Sequence, residues 1–192
     1  TLKEKILLSK ESPWGLILFK RNIKSFNQVK KLIVNIKKLT KDKKFPVMID
    51  EEGISVTRLG KIFNHNINAN YFGSLYKINP KVAQKLYEIY LESLCKNLKK
   101  IGVNINTIPV LDVLRKNTNK IIGKRSFSDN EKIVKKFGET TIKKCHSYNI
   151  GTVIKHIPGH GCSSTDSHLS MPKVNLSEKE LNKKDFYPFK SS

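Results

Sequence analysis

The chain has 192 residues, enough to bury one sizeable core and too few for several independent domains, so it reads as one domain or a piece of a larger one. Hydrophobic content is 38%, and no apolar run approaches the roughly 20 residues of a membrane-spanning helix, which excludes a spanning segment. The net charge of +21 would ordinarily suggest a polyanion partner, yet the excess is nearly all lysine spread over helical-looking stretches such as 30–38 and 132–144. Arginine, the residue suited to bidentate phosphate recognition, stands only at Arg21, Arg58, Arg115 and Arg125. Neither nucleic acid nor a membrane is therefore expected as a partner. Cys95, Cys145 and Cys162 are odd in number and lack metal-clip spacing, and residues 1–10 show no export signal; both point to the cytoplasm.

Apolar runs with branched side chains recur at 15–19 (GLILF), 46–50 (PVMID), 103–113 and 151–156 (GTVIKH). Short and nearly continuous, they predict strands covered on both faces. Between them, Phe26, Val29, Leu32, Ile33 and Ile36 keep helical spacing behind Ser25, a plausible N-cap. A second helix is predicted over 82–98, with Pro80 in its first turn, and a third over 133–145, after Asp129 and Glu131. Strand and helix alternating in this order predicts parallel pairing with right-handed crossovers.

Each run after the first also carries a polar or charged group, namely Asp50, Asp112, and Lys155 with His156. Any one of these reads more simply as a strand cap; several delivered to the same edge point to a ligand site at the carboxyl ends of the strands. No Gly-rich phosphate loop follows the first strand, which favours a barrel over a dinucleotide-binding fold. A whole barrel takes about 250 residues. The predicted architecture is therefore α/β, an incomplete (β/α)₈ TIM-type barrel comprising about its first half.

Residues 155–172 read KHIPGHGCSSTDSHLSMP and hold three of the five histidines among glycines and prolines that exclude a regular helix. Such a loop is where a scaffold displays catalytic groups. Two chemistries compete. His156, His160, Cys162, Asp166 and His168 could ligate a divalent metal, but zinc sites favour histidines four apart on a helix or paired CxxC, and neither occurs. Alternatively Asp166 and His168 form a dyad, the carboxylate orienting an imidazole that donates a proton near neutral pH. Solvated loop histidines are the plain alternative, weakened by their clustering.

KHIPGHG, four residues, then DSH at 166–168 resembles the KHFPGHG…DSH signature of the N-acetylglucosaminidases of glycoside hydrolase family 3, which trim cell-wall muropeptides. In the same order, 15–22 resembles the family's GLILFxRN strand, 49–58 its VDQEGGxVxR loop, 108–113 its APVLDV strand and 123–127 its GxRSF turn. The resemblance covers most of 15–172. It implies that residues 1–192 are a partial family 3 N-terminal barrel domain, with His168 as general acid/base and Asp166 holding it. It implies further that Asp50, Arg58, Arg125, Lys155 and His156 grip an N-acetylglucosamine unit through its hydroxyls. For Asp50 and Arg58, an ordinary ion pair is the structural alternative. The sequence departs from the family at Glu51, where the family has glutamine, and at Ile54 and Ser55, so the turn after the second strand is expected to be reshaped.

The resemblance also implies a nucleophilic aspartate from a later strand. Nothing in 177–192 matches it, and Asp185, in a lysine-rich helical stretch, is not given that role. The expected protein is an enzyme that hydrolyses terminal, non-reducing β-linked N-acetylglucosamine with retention, as a monomer needing neither metal nor organic cofactor. Residues 1–192 alone are expected to be inactive. A family 3 β-glucosidase or phosphorylase, a metal-dependent hydrolase, and a basic polyanion binder are the rival readings.

Overall fold

The apolar runs pair as buried parallel strands do. The computed structural model describes residues 1–11, 13–64, 67–166 and 168–190. Its elements are α1 (Leu2–Lys10), β1 (Leu16–Leu18), α2 (Phe26–Leu39), β2 (Val47–Ile49), α3 (Ala69–Ile78), α4 (Pro80–Ile101), β3 (Ile105–Asn106), α5 (Glu131–Ser147), β4 (Gly151–Thr152), α6 (Glu178–Lys183) and α7 (Tyr187–Lys190). The sheet runs β1-β2-β3-β4, all parallel, with Leu18 opposite Ile49, Ile49 opposite Asn106 and Asn106 opposite Thr152. Strand order that follows chain order is the order of a (β/α) barrel; a doubly wound sheet reverses direction midway.

The strands are shorter than their apolar runs, for local reasons. Past β3, Pro109 offers no N–H, and regular pairing stops. It resumes once, where Lys155 donates its N–H to the Pro109 carbonyl (3.2 Å) and the Leu111 N–H reaches the Lys155 carbonyl (2.7 Å). Asn106 replaces ladder bonds with its side chain, accepting from Glu51 N (3.0 Å) and donating to Glu51 O (2.9 Å).

Ser25 caps α2 by accepting from the Gln28 N–H, and Pro80 is the first residue of α4, as their positions in the sequence suggest. Helix α4 turns Ala83, Tyr87, Leu91, Leu94, Leu98 and Ile101 inward at intervals of three and four. A large apolar side chain so buried contributes about 1.5–3 kcal/mol, several times any difference in helix propensity, so packing holds this helix. The core lies between the sheet and helices α2, α4 and α5, and an aromatic group of Phe72, Tyr87, Phe127 and Phe137 fills the α3–α4–α5 corner. Helices α1 and α3 are among those that fall outside the predicted elements. Helix α1 buries no residue and is held by a capping box between Thr1 and Glu4; α3 carries Gly73, where a side chain would collide with the Phe127 carbonyl. Among the described residues, no helix is long and apolar enough to cross a membrane.

Candidate active site

At the carboxyl ends of β2, β3 and β4 lies a cleft of ≈ 580 Å³. Asp50 follows β2 directly. Its Oδ1 accepts from the Thr107 hydroxyl (2.5 Å) and the Lys155 ammonium (3.3 Å), and its Oδ2 from Arg58 Nη2 (3.0 Å). Burial works to raise the Asp50 carboxyl, but the Thr107 bond, the Lys155 charge and the Arg58 bond outweigh it and hold the group below its ordinary value. Glu52 receives Arg125 through Nε (2.7 Å) and Nη2 (2.9 Å), and Lys155 Nζ at 2.5 Å. Burial acts to weaken the charge on Arg125; its bonds to Glu52 and the charge of that carboxylate more than restore it.

The turn that carries Glu52 and Arg58 is organised from inside. The Glu51 carboxylate is fully buried and accepts from the Thr57 hydroxyl (2.7 Å), Arg58 N (2.8 Å) and Leu59 N (2.9 Å). Burial nevertheless pushes its carboxyl above the ordinary value. The Val56 carbonyl accepts from Glu52 N (2.9 Å), and Gly53, at φ 145, supplies a backbone angle that other residues rarely take. The departures at Glu51, Ile54 and Ser55 thus sit in a closed turn that leaves Asp50 and Arg58 paired.

The loop after β4 supplies the remaining groups. His156 Nδ1 lies 2.6 Å from Asp112 Oδ2, and its Nε2 is 3.2 Å from Arg125 Nη2. The His160 N–H reaches Asp112 Oδ1 at 2.6 Å. Gly161 packs so tightly against the segment after β3 that an added methyl would stand 1.9 Å from the Val113 carbonyl oxygen. Further along, Asp166 Oδ1 accepts both His168 N and His168 Nδ1, each at 2.8 Å. The His168 amide and then its ring hold the Asp166 carboxyl below its ordinary value. Ser167, between the two, lies outside the described residues.

Of the seven residues singled out in the sequence, Asp50, Arg58, Arg125, Lys155, His156 and His168 line this one cleft, and Asp166 stands behind His168. His168 is 77% exposed, at the mouth, whereas Lys155 and Arg125 are 14% and 12% exposed, at the floor. Sequence reasoning marked Asp112 only as a strand-end polar group and His160 only as a possible metal ligand, and gave no role to Glu52 or Thr107. Glu52 could have been found in the family's loop, but nothing in the sequence marks Thr107. Asp185 is fully buried and paired with Arg115, a structural role in keeping with its exclusion as nucleophile. Among the described residues, no three His, Cys, Asp or Glu side chains are grouped to hold a metal.

At the floor of the cleft the charges largely pair: Asp50 and Glu52, with Asp112 behind His156, face Arg58, Arg125 and Lys155, and Lys120 adds one further cation to the lining. Such a surface offers many fixed donors and acceptors with little net field, a match for an uncharged, hydroxyl-rich ligand more than for an anion.

Sequential parallel strands with a polar cleft at their carboxyl ends define a (β/α)-barrel protein with the site geometry of an enzyme. The chain belongs to glycosyl hydrolase family 3, matching the model of the family's N-terminal domain over residues 2–192. It is 29% identical over 188 residues to beta-hexosaminidase A of Pseudoalteromonas piscicida, covering 95% of this chain and 31% of that protein. Against the beta-hexosaminidase of Xanthomonas campestris pv. campestris (strain B100) it is 28% identical, covering 97% of this chain and 56% of the relative. The crystal structure of NagZ from Neisseria gonorrhoeae in complex with N-trifluoroacetyl-D-glucosamine superposes with a TM-score of 0.89 at 29% identity, over 98% of this chain and 56% of that one. The chain thus spans from 31% to 56% of the length of these relatives.

Proposed function

We propose that this chain is the acid/base and sugar-gripping part of a retaining β-N-acetylglucosaminidase that removes terminal, non-reducing N-acetylglucosamine from peptidoglycan fragments. The Asp166–His168 contact over a cleft with a charge-paired floor carries this reading. The proposal places the protein in the cytoplasm as a monomer, acting without metal or organic cofactor.

In this mechanism Asp50, Arg58, Arg125, Lys155 and His156 take the sugar hydroxyls, and a hydroxyl that fails to match leaves a buried polar group unpaired. His168 gives its proton to the departing glycosidic oxygen and later takes one from the attacking water, while Asp166 keeps the ring oriented. The nucleophile must be a carboxylate free to attack the anomeric carbon. Asp50 and Glu52 are both committed to cations, so neither fills that role, in line with the family resemblance that assigns it to an aspartate on a later strand.

The test is release of a fluorophore from an N-acetyl-β-glucosaminide by the full-length protein, compared with the β-glucoside and with phosphate in place of water as acceptor. His168→Ala is expected to lower turnover by roughly 10²–10⁴-fold. An unchanged rate removes His168 from the mechanism; preference for the glucoside or for phosphate replaces the proposed substrate or reaction.

A further inference from the structure

Asp112 is completely buried in the segment that follows β3 and has so far been given no part in binding or catalysis. Its two oxygens are divided. Oδ1 takes the backbone N–H of His160 at 2.6 Å and that of His156 at 3.4 Å; Oδ2 faces His156 Nδ1 at 2.6 Å. On the other side of the ring, Arg125 Nη2 stands 3.2 Å from Nε2. A guanidinium only donates, so Nε2 must be the bare, accepting nitrogen. A carboxylate only accepts, so the ring's single proton must be on Nδ1.

We propose that Asp112 is a positioning residue that locks His156 with its proton on Nδ1, leaving Nε2 as the acceptor for a sugar hydroxyl in the cleft. This rests on the reading that His156 binds sugar. Arg125 stays anchored to Glu52 through Nε and Nη2, so its bond to His156 can open without releasing the guanidinium. A hydroxyl entering between them donates to Nε2 and accepts from Nη2. An ether oxygen or a fluorine at that position can accept but cannot donate, which makes the pair selective for a free hydroxyl.

Asp112→Asn reverses the arrangement with little change of shape. Two of the three bonds end on Oδ1, so the amide oxygen remains there and the amide nitrogen turns toward Nδ1. The ring proton then moves to Nε2, where it opposes the Arg125 N–H.

Two measurements on the full-length protein test this. In the ¹⁵N spectrum of labelled histidine, His156 should show a protonated Nδ1 and a bare Nε2 in the wild type and the reverse in Asp112→Asn. The variant should raise KM for the N-acetyl-β-glucosaminide, and the dissociation constant of free N-acetylglucosamine, by about 10–100-fold, with kcat affected less. A wild-type ring protonated on Nε2, or on both nitrogens, overturns the proposal even if the variant does not fold. So does a reversed tautomer with unaltered sugar affinity. His156→Ala separates the two ideas: unaltered sugar affinity in that variant ends the sugar-binding reading of His156, whereas the tautomer is judged by the spectrum alone.

Discussion

Arg125 meets Glu52 through two parallel hydrogen bonds, Nε to Oε2 and Nη2 to Oε1, joining the 3₁₀ turn at Gly123–Arg125 to the turn after β2. Both side chains are nearly buried, at 12% and 6% exposure, and Lys155 shares the same carboxylate. Glu52→Ala would leave Arg125 without its carboxylate and Lys155 with Asp50 alone in the cleft floor. The expected loss is roughly 3–5 kcal/mol of stability, read as a shift in denaturant midpoint. A change below about 1 kcal/mol would show that solvent, not Glu52, compensates those charges.

Glu51 gives a prediction of opposite sign. Its carboxyl is raised above the ordinary 4.5 by burial, so the folded state holds its proton more tightly than the unfolded chain does. That contribution is complete below about pH 4.5 and is lost as pH rises through the folded value. Glutamine keeps an oxygen for Arg58 N and Leu59 N, can donate to the Thr57 hydroxyl, and carries no charge. Glu51→Gln should therefore gain in Tm relative to the wild type on going from about pH 4 to pH 7. A difference that stays flat or falls with pH contradicts the burial argument.

Asp166 allows charge to be separated from geometry. Both bonds from His168 end on one oxygen, which an amide also provides. Asp166→Asn should keep the ring in place and lower turnover about tenfold, because charge-assisted bonds are roughly twice as strong as neutral ones. Asp166→Ala, which loses both bonds, should approach the loss expected for His168→Ala. The wild-type carboxyl lies below its ordinary 3.8. It therefore stays ionised above about pH 4, and any activity lost on acidification above that point must come from another group.

Gly161 tests the seating of the loop. A methyl group there would stand 1.9 Å from the Val113 carbonyl, so Gly161→Ala must push the loop at Gly161 away from the backbone at Val113. The expected loss is about 1–3 kcal/mol, with turnover reduced beyond what unfolding explains. Wild-type kinetics in a stable variant would mean that His156 and His160 do not depend on this contact.

The strands and the three longest helices were legible because buried strands and packed helices impose periods of their own on the sequence. Helix α1 leans on the core through half-buried Leu8 alone and leaves no such period, and in α3 the informative residue is a glycine, whose requirement arises from Phe127 on a distant segment. The site divides in the same way. His168 and Asp166 are two residues apart, and their pairing could be argued locally. Glu52 and Arg125 are 73 positions apart, and Lys155 and Asp50 are 105 apart; only the fold brings them together. Thr107 has no chemistry distinctive enough to single it out before its hydroxyl is seen between Asp50 and Lys155.

Because the cations of the cleft floor are each answered by a nearby carboxylate, the recognition surface is electrically quiet inside a chain whose net charge is +21. Raising ionic strength screens the exposed lysines and leaves partly buried pairs largely alone. Salt that would strip an anionic polymer from so basic a surface should therefore leave the capture of an uncharged sugar ring almost untouched.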